Sequence, residues 1–370
     1  MLYDTLVIGS GQAGLAAGYY LRQAGLRFAI LEAGDAAGGS WPQYYDSLVL
    51  NSPARYSALP GLRFPGAPDH YPARDEVVEY LRGYASHFDL PILTRQRVER
   101  VERRGAWFCV RSGDHTPYMA RTIVAATGSF GSPYQPSVEG RADYRGQVLH
   151  ASAYRRPEPF RGQRVVVVGA GNGAIRIATE LAAVAHVTLA ARGPMRCLPQ
   201  HLLGRDIHFW LRAAGLDKRQ WLGQQSMPVY IRGSDQAALA AVARRHSMFA
   251  RFSSDGVVWP DGTAEPADTV LFATGYRPNL TYLADLGAYA HDGHVLQTQG
   301  RSTSVPGLYY VGLSRQRSVA SATLRGVGPD ARVVVEHLRS YCDMGHQIAR
   351  QHSLFGKLRL AAAGMRLIAP

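Results

Sequence analysis

Cysteine is scarce in this chain, with three among 370 residues. They stand far apart, at Cys109, Cys197 and Cys342, and no C-x-x-C pair occurs. That absence excludes a redox-active dithiol and a zinc knuckle, and we predict no metal site. A disulfide framework is not expected, so the cytoplasm is the expected compartment.

Long apolar runs are missing as well. No stretch of about 18 consecutive apolar residues occurs, so we expect no segment that crosses a membrane. The first predicted strand starts almost at Met1, which leaves no room for a signal peptide. Hydrophobic residues still make up 46% of the chain, which is typical of globular domains.

Lysine is nearly absent. The net charge is +13, but Lys218 and Lys357 are the only lysines, so arginine carries almost all of the positive charge. The arginines are scattered, and no basic helix with interleaved aromatic residues stands out. We therefore do not expect nucleic acid as a partner, and attraction for anionic cofactors is the favoured explanation of the charge.

The first 32 residues follow the pattern strand, glycine turn, helix, strand, acid. An apolar run leads into G-x-G-x-x-G at 9–14, where Gly9 permits a tight turn and Gly11 has no side chain to hold a pyrophosphate off the backbone. Gly14 lets the helix pack close to the strand. Glu32, after the second strand, can accept hydrogen bonds from a ribose 2′-OH, which indicates an unphosphorylated adenosine such as that of FAD or NAD.

The pattern recurs in the middle of the chain. An apolar run at 165–168 leads into G-x-G-x-x-A at 169–174, and Arg192 follows the first glycine by 23 residues, the same distance that separates the first glycine from Glu32 in the earlier unit. A base at this position can pair with a 2′-phosphate, so the second site is predicted to prefer NADPH. A solvated arginine after a strand stays open as the alternative.

Other short segments predict further parts of these two units. A G-G-x-W element at 38–41 can pass close to a cofactor, and an A-T-G sequence at 126–128 recurs at 273–275. Strands are predicted at 45–53 and 268–273, the latter returning the chain to the first domain, and helices are predicted at 74–88 and 321–339. Asn51 either forms an Asx-turn or faces a cofactor, and residues 193–257 carry no recognisable motif.

One further motif resembles a known family. Residues 144–154 match F-x-G-x-x-x-H-x-x-x-[FY], the fingerprint of the flavin-containing monooxygenases, with Tyr144 in place of the first Phe and His150 at the histidine. The motifs GGSW, ATGS and FATGY are also similar to that family, which belongs to the class B flavoprotein monooxygenases. The resemblance covers roughly 1–190 and 265–340, and the compact chain is most similar to the bacterial members.

The resemblance implies an α/β fold with two Rossmann-like dinucleotide-binding domains, the NADPH domain inserted in the FAD domain. The expected FAD-binding domain comprises 1–158 and 266–345, the NADPH-binding domain 159–265, and a C-terminal tail 346–370. The tail is mildly amphipathic, and a packing helix is favoured over a membrane-surface role.

FAD and NADPH (NADP⁺) are the implied cofactors. The first glycine motif and Glu32 are assigned to the adenosine half of FAD, the G-G-x-W loop to the flavin, and the second motif and Arg192 to NADPH. Asn51 falls on the family's active-site asparagine, and His150 is assigned to positioning NADP⁺ rather than to proton transfer. The predicted cofactor-binding residues are Gly9, Gly11, Gln12, Ala13, Gly14, Glu32, Gly39, Ser40, Trp41, Val98, Thr127, Gly128, Gly169, Gly171, Asn172, Ala174, Arg192, Thr274 and Gly275.

The implied activity is an NADPH-dependent flavin monooxygenase. It would oxygenate soft nucleophiles such as sulfides and amines through a C4a-hydroperoxyflavin, with O₂ and a small organic substrate as partners. An NAD(P)H-dependent flavin oxidase or reductase without oxygenation, including an accessory of ion or metal transport, stays open. A disulfide reductase is disfavoured because the cysteine pair is missing, and a homodimer is left open.

Overall fold

The computed structural model describes residues 2–113, 116–193, 197–218, 229–231, 244–290 and 293–343. The helices in these ranges are α1 (Gln12–Gln23), α2 (Arg74–His87), α3 (Asn172–Leu181), α4 (Ile207–Ala213) and α5, which begins at 324 and continues through 343. The strands are β1 (Leu2–Ile8), β2 (Phe28–Leu31), β3 (Ile92–Leu93), β4 (Val98–Arg104), β5 (Trp107–Ser112), β6 (Tyr118–Ala125), β7 (Gln147–His150), β8 (Arg164–Val168), β9 (His186–Ala191), β10 (Cys197–Pro199), β11 (His201–Leu202), β12 (Arg205–Asp206), β13 (Val229–Ile231), β14 (Arg244–Ser247), β15 (Arg251–Phe252), β16 (Gly256–Val258), β17 (Ala264–Pro266), β18 (Thr269–Phe272), β19 (Gln297–Thr298), β20 (Arg301–Ser302) and β21 (Leu308–Tyr310).

The first sheet is built from both ends of the described chain. Its strand order is β19-β20-β21-β6-β1-β2-β3, with β5 pairing to β6 and β4 to β5. The central strands from β21 to β3 are parallel, and their ends are level, since Ile8 is opposite both Leu31 and Ala125. The residues that follow β1, β2 and β6 therefore meet at one edge of the sheet.

Close packing of α1 on β1 explains the first glycine motif. Gly9 has φ +101°, a backbone conformation that favours glycine, and a Cβ at Gly14 would lie 1.8 Å from the Gly9 carbonyl oxygen. Leu6 and Val7 of β1 and Leu15 of α1 are fully buried. The predicted strand–turn–helix–strand unit is confirmed, with the helix beginning at Gln12 inside the motif.

The second sheet is entirely parallel, in the order β14-β9-β8-β18-β7. The four valines at 165–168 are buried, as expected for a strand covered on both faces. Strand β18 corrects the prediction that 268–273 returns the chain to the first domain, because it pairs with β8 on one side and β7 on the other. The apolar pattern predicts a buried strand correctly but does not specify which sheet it joins.

The remaining elements also test the predictions. Helix α2 agrees with the helix predicted at 74–88, and α5 begins three residues later than predicted. The strand predicted at 45–53 is wrong, since this stretch holds only an isolated bridge between Val49 and Ala73 and is otherwise turns and loop. Within the described ranges, no helix combines the length and the apolar character needed to cross a membrane. The α/β fold with two Rossmann-like units is confirmed.

Candidate functional site

The acid at the end of β2 closes onto the first glycine turn. Glu32 is 5% exposed, and its Oε2 accepts from the backbone N–H of Ser10 at 2.9 Å and from the Ser10 hydroxyl at 2.5 Å. Its Oε1 accepts from the backbone N–H of Gly34 at 2.8 Å. A carboxylate offers about four acceptor positions, so the buried Glu32 is held rigidly with acceptor capacity left for a ribose hydroxyl.

The G-G-x-W loop lies directly against that turn. A Cβ at Gly39 would meet the Cα of Gly11 at 2.9 Å, and the backbone N–H of Gly38 donates to the Ser10 carbonyl at 3.1 Å. The indole N–H of Trp41 donates to the side-chain oxygen of Gln12 at 2.6 Å. Only glycine lets the two loops approach this closely, so the structure brings the predicted residues of both loops together.

The two A-T-G sequences form matching turns, one after β6 of the first sheet and one after β18 of the second. The hydroxyl of Thr127, after β6, donates to the carbonyl of Asn279 at 2.7 Å, and the hydroxyl of Thr274, after β18, donates to the carbonyl of Tyr134. Gly128 and Gly275 both have positive φ, at +64° and +86°. These turns tie the two crossings between the sheets to one another.

The second glycine turn is open towards a cavity. Gly169 is packed tightly, since a Cβ there would lie 2.5 Å from the carbonyl oxygen of Ala273. A Cβ at Gly171 or Gly173 would meet nothing within 4 Å. The N-terminus of α3 therefore presents free space and backbone N–H groups where a phosphate of a dinucleotide can bind.

That cavity has a volume of about 390 Å³ and lies between the two units. Residues of the 41–51 segment line it from the first unit, and residues of α3 and the turn after β18 line it from the second. It brings together seven of the predicted site residues: Trp41, Asn51, His150, Gly171, Asn172, Ala174 and Gly275.

Three predicted residues lie elsewhere. Arg192 and Thr274 line a second cavity of about 260 Å³ beside Tyr134, where Arg192 is exposed at the end of β9. Val98 opens β4 opposite Ser112 and lines neither cavity. The exposed arginine has room for a phosphate, whereas Val98 contributes to the packing of the first sheet.

Asn51, which lines the main cavity, carries an unsatisfied polar atom. Its Oδ1 is buried with no hydrogen-bond partner among the described residues. Its backbone carbonyl accepts from the side-chain amide of Gln200 at 2.9 Å. A buried amide oxygen without a partner costs roughly 1–3 kcal/mol, so this atom is expected to meet a donor on a bound molecule.

His150 is held as a neutral imidazole. Its Nε2 donates to the Gly275 carbonyl at 3.0 Å, and its Nδ1 accepts from the backbone N–H of Ser152 at 3.1 Å. Burial lowers the pKa of His150, with the Gly275 carbonyl acting weakly in the opposite direction. The neutral ring is hydrogen-bonded through both nitrogens, so it fixes the turn that carries Gly275. Its one N–H proton is already donated to the Gly275 carbonyl.

Four aromatic side chains and His150 form a continuous row, which we call the aromatic row. The ring centroids of Trp41 and Tyr44 are 5.4 Å apart, those of Tyr44 and Phe130 4.6 Å, and those of Phe130 and Tyr276 5.4 Å. The imidazole of His150 meets Tyr276 at 4.9 Å. Sequence reasoning missed Phe130 and Tyr276, although both stand directly behind the A-T-G repeat that it noted.

A buried carboxylate anchors the 197–218 segment beside the cavity. Asp206 accepts from the Tyr71 hydroxyl, from the Gln200 amide at 2.7 Å, and from the backbone N–H of His208 at 2.7 Å, with the His208 ring 2.8 Å away. These hydrogen bonds outweigh the burial and lower the pKa of Asp206 to about 2. We call these four residues the Asp206 network.

Sequence reasoning missed the Asp206 network because it lies in the stretch without a motif. Two weak signals were present: Asp206 stands directly before a helix, the usual place for an N-cap, and a histidine follows two residues later. Neither signal points to Tyr71, which reaches the carboxylate from a loop before α2.

The whole chain is similar to known proteins. Residues 6–312 match the family described as pyridine nucleotide-disulphide oxidoreductase. An uncharacterized oxidoreductase, CzcO-like, of Geobacillus kaustophilus is 33% identical over 347 residues, 92% of this chain and 99% of the relative. A flavin-containing monooxygenase from Stenotrophomonas maltophilia superposes with a TM-score of 0.83 at 34% identity, over 92% of this chain and 99% of that one. A probable indole-3-pyruvate monooxygenase of Arabidopsis thaliana is 27% identical over 365 residues, 87% of this chain and 88% of the relative.

Proposed function

The chain belongs to the pyridine nucleotide-disulphide oxidoreductase family and, within it, to the bacterial flavin-containing monooxygenases, and on that premise we propose that it oxygenates sulfides and amines. It is a flavin-dependent monooxygenase with FAD and NADPH as cofactors. O₂ and a small organic molecule with a soft nucleophilic atom are the proposed substrates.

The observation that carries the proposal is the main cavity, which residues of both units line. The open glycine turn at 169–174 and the 41–51 segment face each other across it, so a dinucleotide bound at the glycine turn can reach a flavin held beside the 41–51 segment. We assign FAD to the turn at 9–14, Glu32 and the G-G-x-W loop, and NADPH to the turn at 169–174 with Arg192 at its 2′-phosphate.

These assignments also divide the chain. We propose that the FAD-binding domain, predicted at 1–158 and 266–345, is built around the first sheet, and that the NADPH-binding domain, predicted at 159–265, is built around the second. Strands β7 and β18 lie outside 159–265 but pair in the second sheet, so both boundaries of the NADPH-binding unit move outward to include them. The 346–370 tail lies outside the described residues.

A bound FAD would supply the redox chemistry, taking up hydride from NADPH and activating O₂. The residues of this chain bind, orient and exclude water. The aromatic row walls the cavity, which keeps reactive oxygen away from bulk solvent. The unsatisfied Oδ1 of Asn51 is placed to accept a hydrogen bond from a bound molecule, and the neutral His150 holds the Gly275 turn against the dinucleotide.

The cysteines support oxygenation over thiol exchange. Cys109 is buried in β5 and Cys342 is buried in α5, and both are free. Burial raises the pKa of Cys342 to about 11, which keeps it an unreactive thiol. Disulfide reduction needs a reactive cysteine beside the flavin, and no described cysteine lines the main cavity.

The test is a product balance. The FAD-loaded protein is incubated with NADPH, O₂ and thioanisole, and sulfoxide, NADPH oxidation and hydrogen peroxide are measured together. We expect close to one sulfoxide for each NADPH oxidised. NADPH oxidation with stoichiometric hydrogen peroxide and no oxygenated sulfide or amine would instead assign the chain to the flavin oxidases.

A further inference from the structure

Of the described residues that line the main cavity, Arg176 is the one with a charged side chain. It extends from α3 to the facing loop, where its Nη1 donates to the carbonyl of Val49. Its Nη2 is buried and has no hydrogen-bond partner among the described residues. Arginine keeps its proton under all ordinary conditions, so a buried cationic donor is left without an acceptor.

The rest of the lining gives this charge no counterpart. Among the described residues that line the cavity there is no aspartate or glutamate, and burial lowers the pKa of His150, which favours its neutral form. The N-terminus of α3 opens into the same space and adds a partial positive charge. Trp41, Tyr44 and Tyr276 supply large apolar faces. The cavity is therefore apolar in its body and positive on one wall.

Arg176 lines the same cavity as the second glycine turn, which is the predicted dinucleotide site, so the dinucleotide is the competing source of an anion. Its Nη1 meets the carbonyl of Val49, two residues before Asn51, which also lines the cavity. Arg192, the proposed partner of the 2′-phosphate, lines the other cavity. The 2′-phosphate thus has its own proposed arginine, and KM for NADPH decides between dinucleotide and substrate as the partner of Arg176.

We propose that Arg176 binds an anionic group of the substrate, so that this enzyme acts on molecules that join a carboxylate to an apolar or aromatic body. The inference rests on the proposed function, since it names the substrate class of the same cavity. A volume of about 390 Å³ is in the range of sites that bind small organic molecules.

A matched pair of sulfides tests the proposal. Para-(methylsulfanyl)benzoate and its methyl ester share the reacting sulfur and the ring but differ in charge. We expect wild-type kcat/KM to favour the benzoate by about tenfold or more, the size of one charge-assisted hydrogen bond. Arg176→Met should abolish this preference, measured as the ratio of kcat/KM for benzoate to that for ester within the variant, and Arg176→Lys should keep part of it.

The exposed Arg82 of α2 provides the control, because Arg82→Met removes the same charge far from the cavity and should change nothing. KM for NADPH is measured in every variant. A rise in that KM for Arg176→Met, with the benzoate preference intact, would overturn the proposal in favour of a dinucleotide contact. Equal wild-type kcat/KM for benzoate and ester would also overturn it.

A binding measurement separates this inference from the proposed reaction. Calorimetry of the oxidised holoenzyme with NADP⁺ gives a Kd for the benzoate without any turnover. Loss of both sulfoxides in the wild type, together with benzoate binding that weakens about tenfold in Arg176→Met, would refute the reaction and retain the anion site. Benzoate binding that is equal in wild type and Arg176→Met would refute the anion site.

Discussion

Glu32 and Arg192 occupy the same place in two successive units, and their opposite charges favour different nucleotides. Glu32 is buried and held by three hydrogen bonds, so it presents a fixed negative group. Arg192 is exposed in a cavity large enough for a phosphate. An acid repels a 2′-phosphate and an arginine attracts it, which is why we propose FAD for the first unit and NADPH for the second.

Replacing Arg192 by Ala tests that assignment. We expect KM for NADPH to rise about ten- to hundredfold, the size of a lost charge-assisted hydrogen bond, and KM for NADH to change less than about twofold. Steady-state oxidation of both nucleotides measures the two constants. The exposed Arg161→Ala serves as a charge control, and an equal rise in both KM values would contradict the assignment.

His150 gives a prediction about pH. Its pKa is lowered in the folded protein, so below about pH 6.5 the unfolded chain takes up the proton more readily and stability falls. In His150→Asn this loss is absent. Urea unfolding at pH 7.5 and 5.5 should therefore show a smaller drop in the free energy of unfolding for the variant. The same drop in both proteins would show that the pKa of His150 does not change on unfolding.

At the scale of elements, the Asp206 network fastens the 197–218 segment to the loop that carries Asn51. Gln200 is 1% exposed and uses one amide nitrogen for both the Asp206 carboxylate and the Asn51 carbonyl. The ring of His208 stacks against Tyr56 at 6.2 Å, which adds a second contact to the same loop. The wall of the main cavity is thus set by a segment from the second unit.

Asp206→Asn should weaken this attachment. The carboxyl pKa of about 2 lies below its ordinary value of 3.8, so the charge stabilises the fold above about pH 4, and that contribution is lost as pH falls towards 2. We expect the variant to lose about 2 kcal/mol of unfolding free energy at pH 7. The loss should fall to about half at pH 3, where the carboxyl of the unfolded chain is largely protonated.

Urea unfolding at the two pH values measures this effect. The matched control is Asp89→Asn, because Asp89 is paired with Arg22 but is 91% exposed and should contribute little. A loss for Asp206→Asn that is as small as that for Asp89→Asn would show that the network does not stabilise the segment.

The same elements show what sequence reasoning can reach. Both glycine turns, the strand–helix–strand units and the charge at each ribose position follow from local spacing, because one turn and its neighbours impose them. The hydrogen bonds made by the Asp206 network also link residues far apart in sequence. Tyr71 and Asp206 are 135 positions apart, and Gln200 and Asn51 are 149 positions apart. Such pairs leave no periodic trace in the chain. The partners of β18, which are β7 and β8, are likewise distant in sequence, so its apolar pattern predicts a buried strand but not the sheet that it joins.

At the scale of the whole molecule, the aromatic row spans both units. Trp41 and Tyr44 belong to the first unit, Phe130 follows β6, and Tyr276 follows β18 of the second sheet. The row therefore depends on how the units are docked, and three of its aromatic side chains, Trp41, Tyr44 and Tyr276, line the cavity.

Tyr276→Ala should open that wall. We expect NADPH oxidation to continue while sulfoxide formed per NADPH falls to about half or less, with hydrogen peroxide making up the difference, because water enters the cavity. Tyr276→Phe keeps the ring and should retain the wild-type ratio. Chromatographic sulfoxide and a peroxidase-coupled assay give both numbers, and an unchanged ratio in Tyr276→Ala would contradict a sealing role.

The first sheet is assembled from strands at opposite ends of the described chain, with β1 at its start and β21 and α5 near its end. On the ribosome, all strands of the second sheet emerge before β21 does. The inner unit can therefore complete its sheet co-translationally, while residues 123–125 of β6 still lack their partner β21. During that interval the nascent outer unit exposes an open parallel edge, so this is the stage of biosynthesis at which a chaperone or early FAD capture would protect the chain from aggregation.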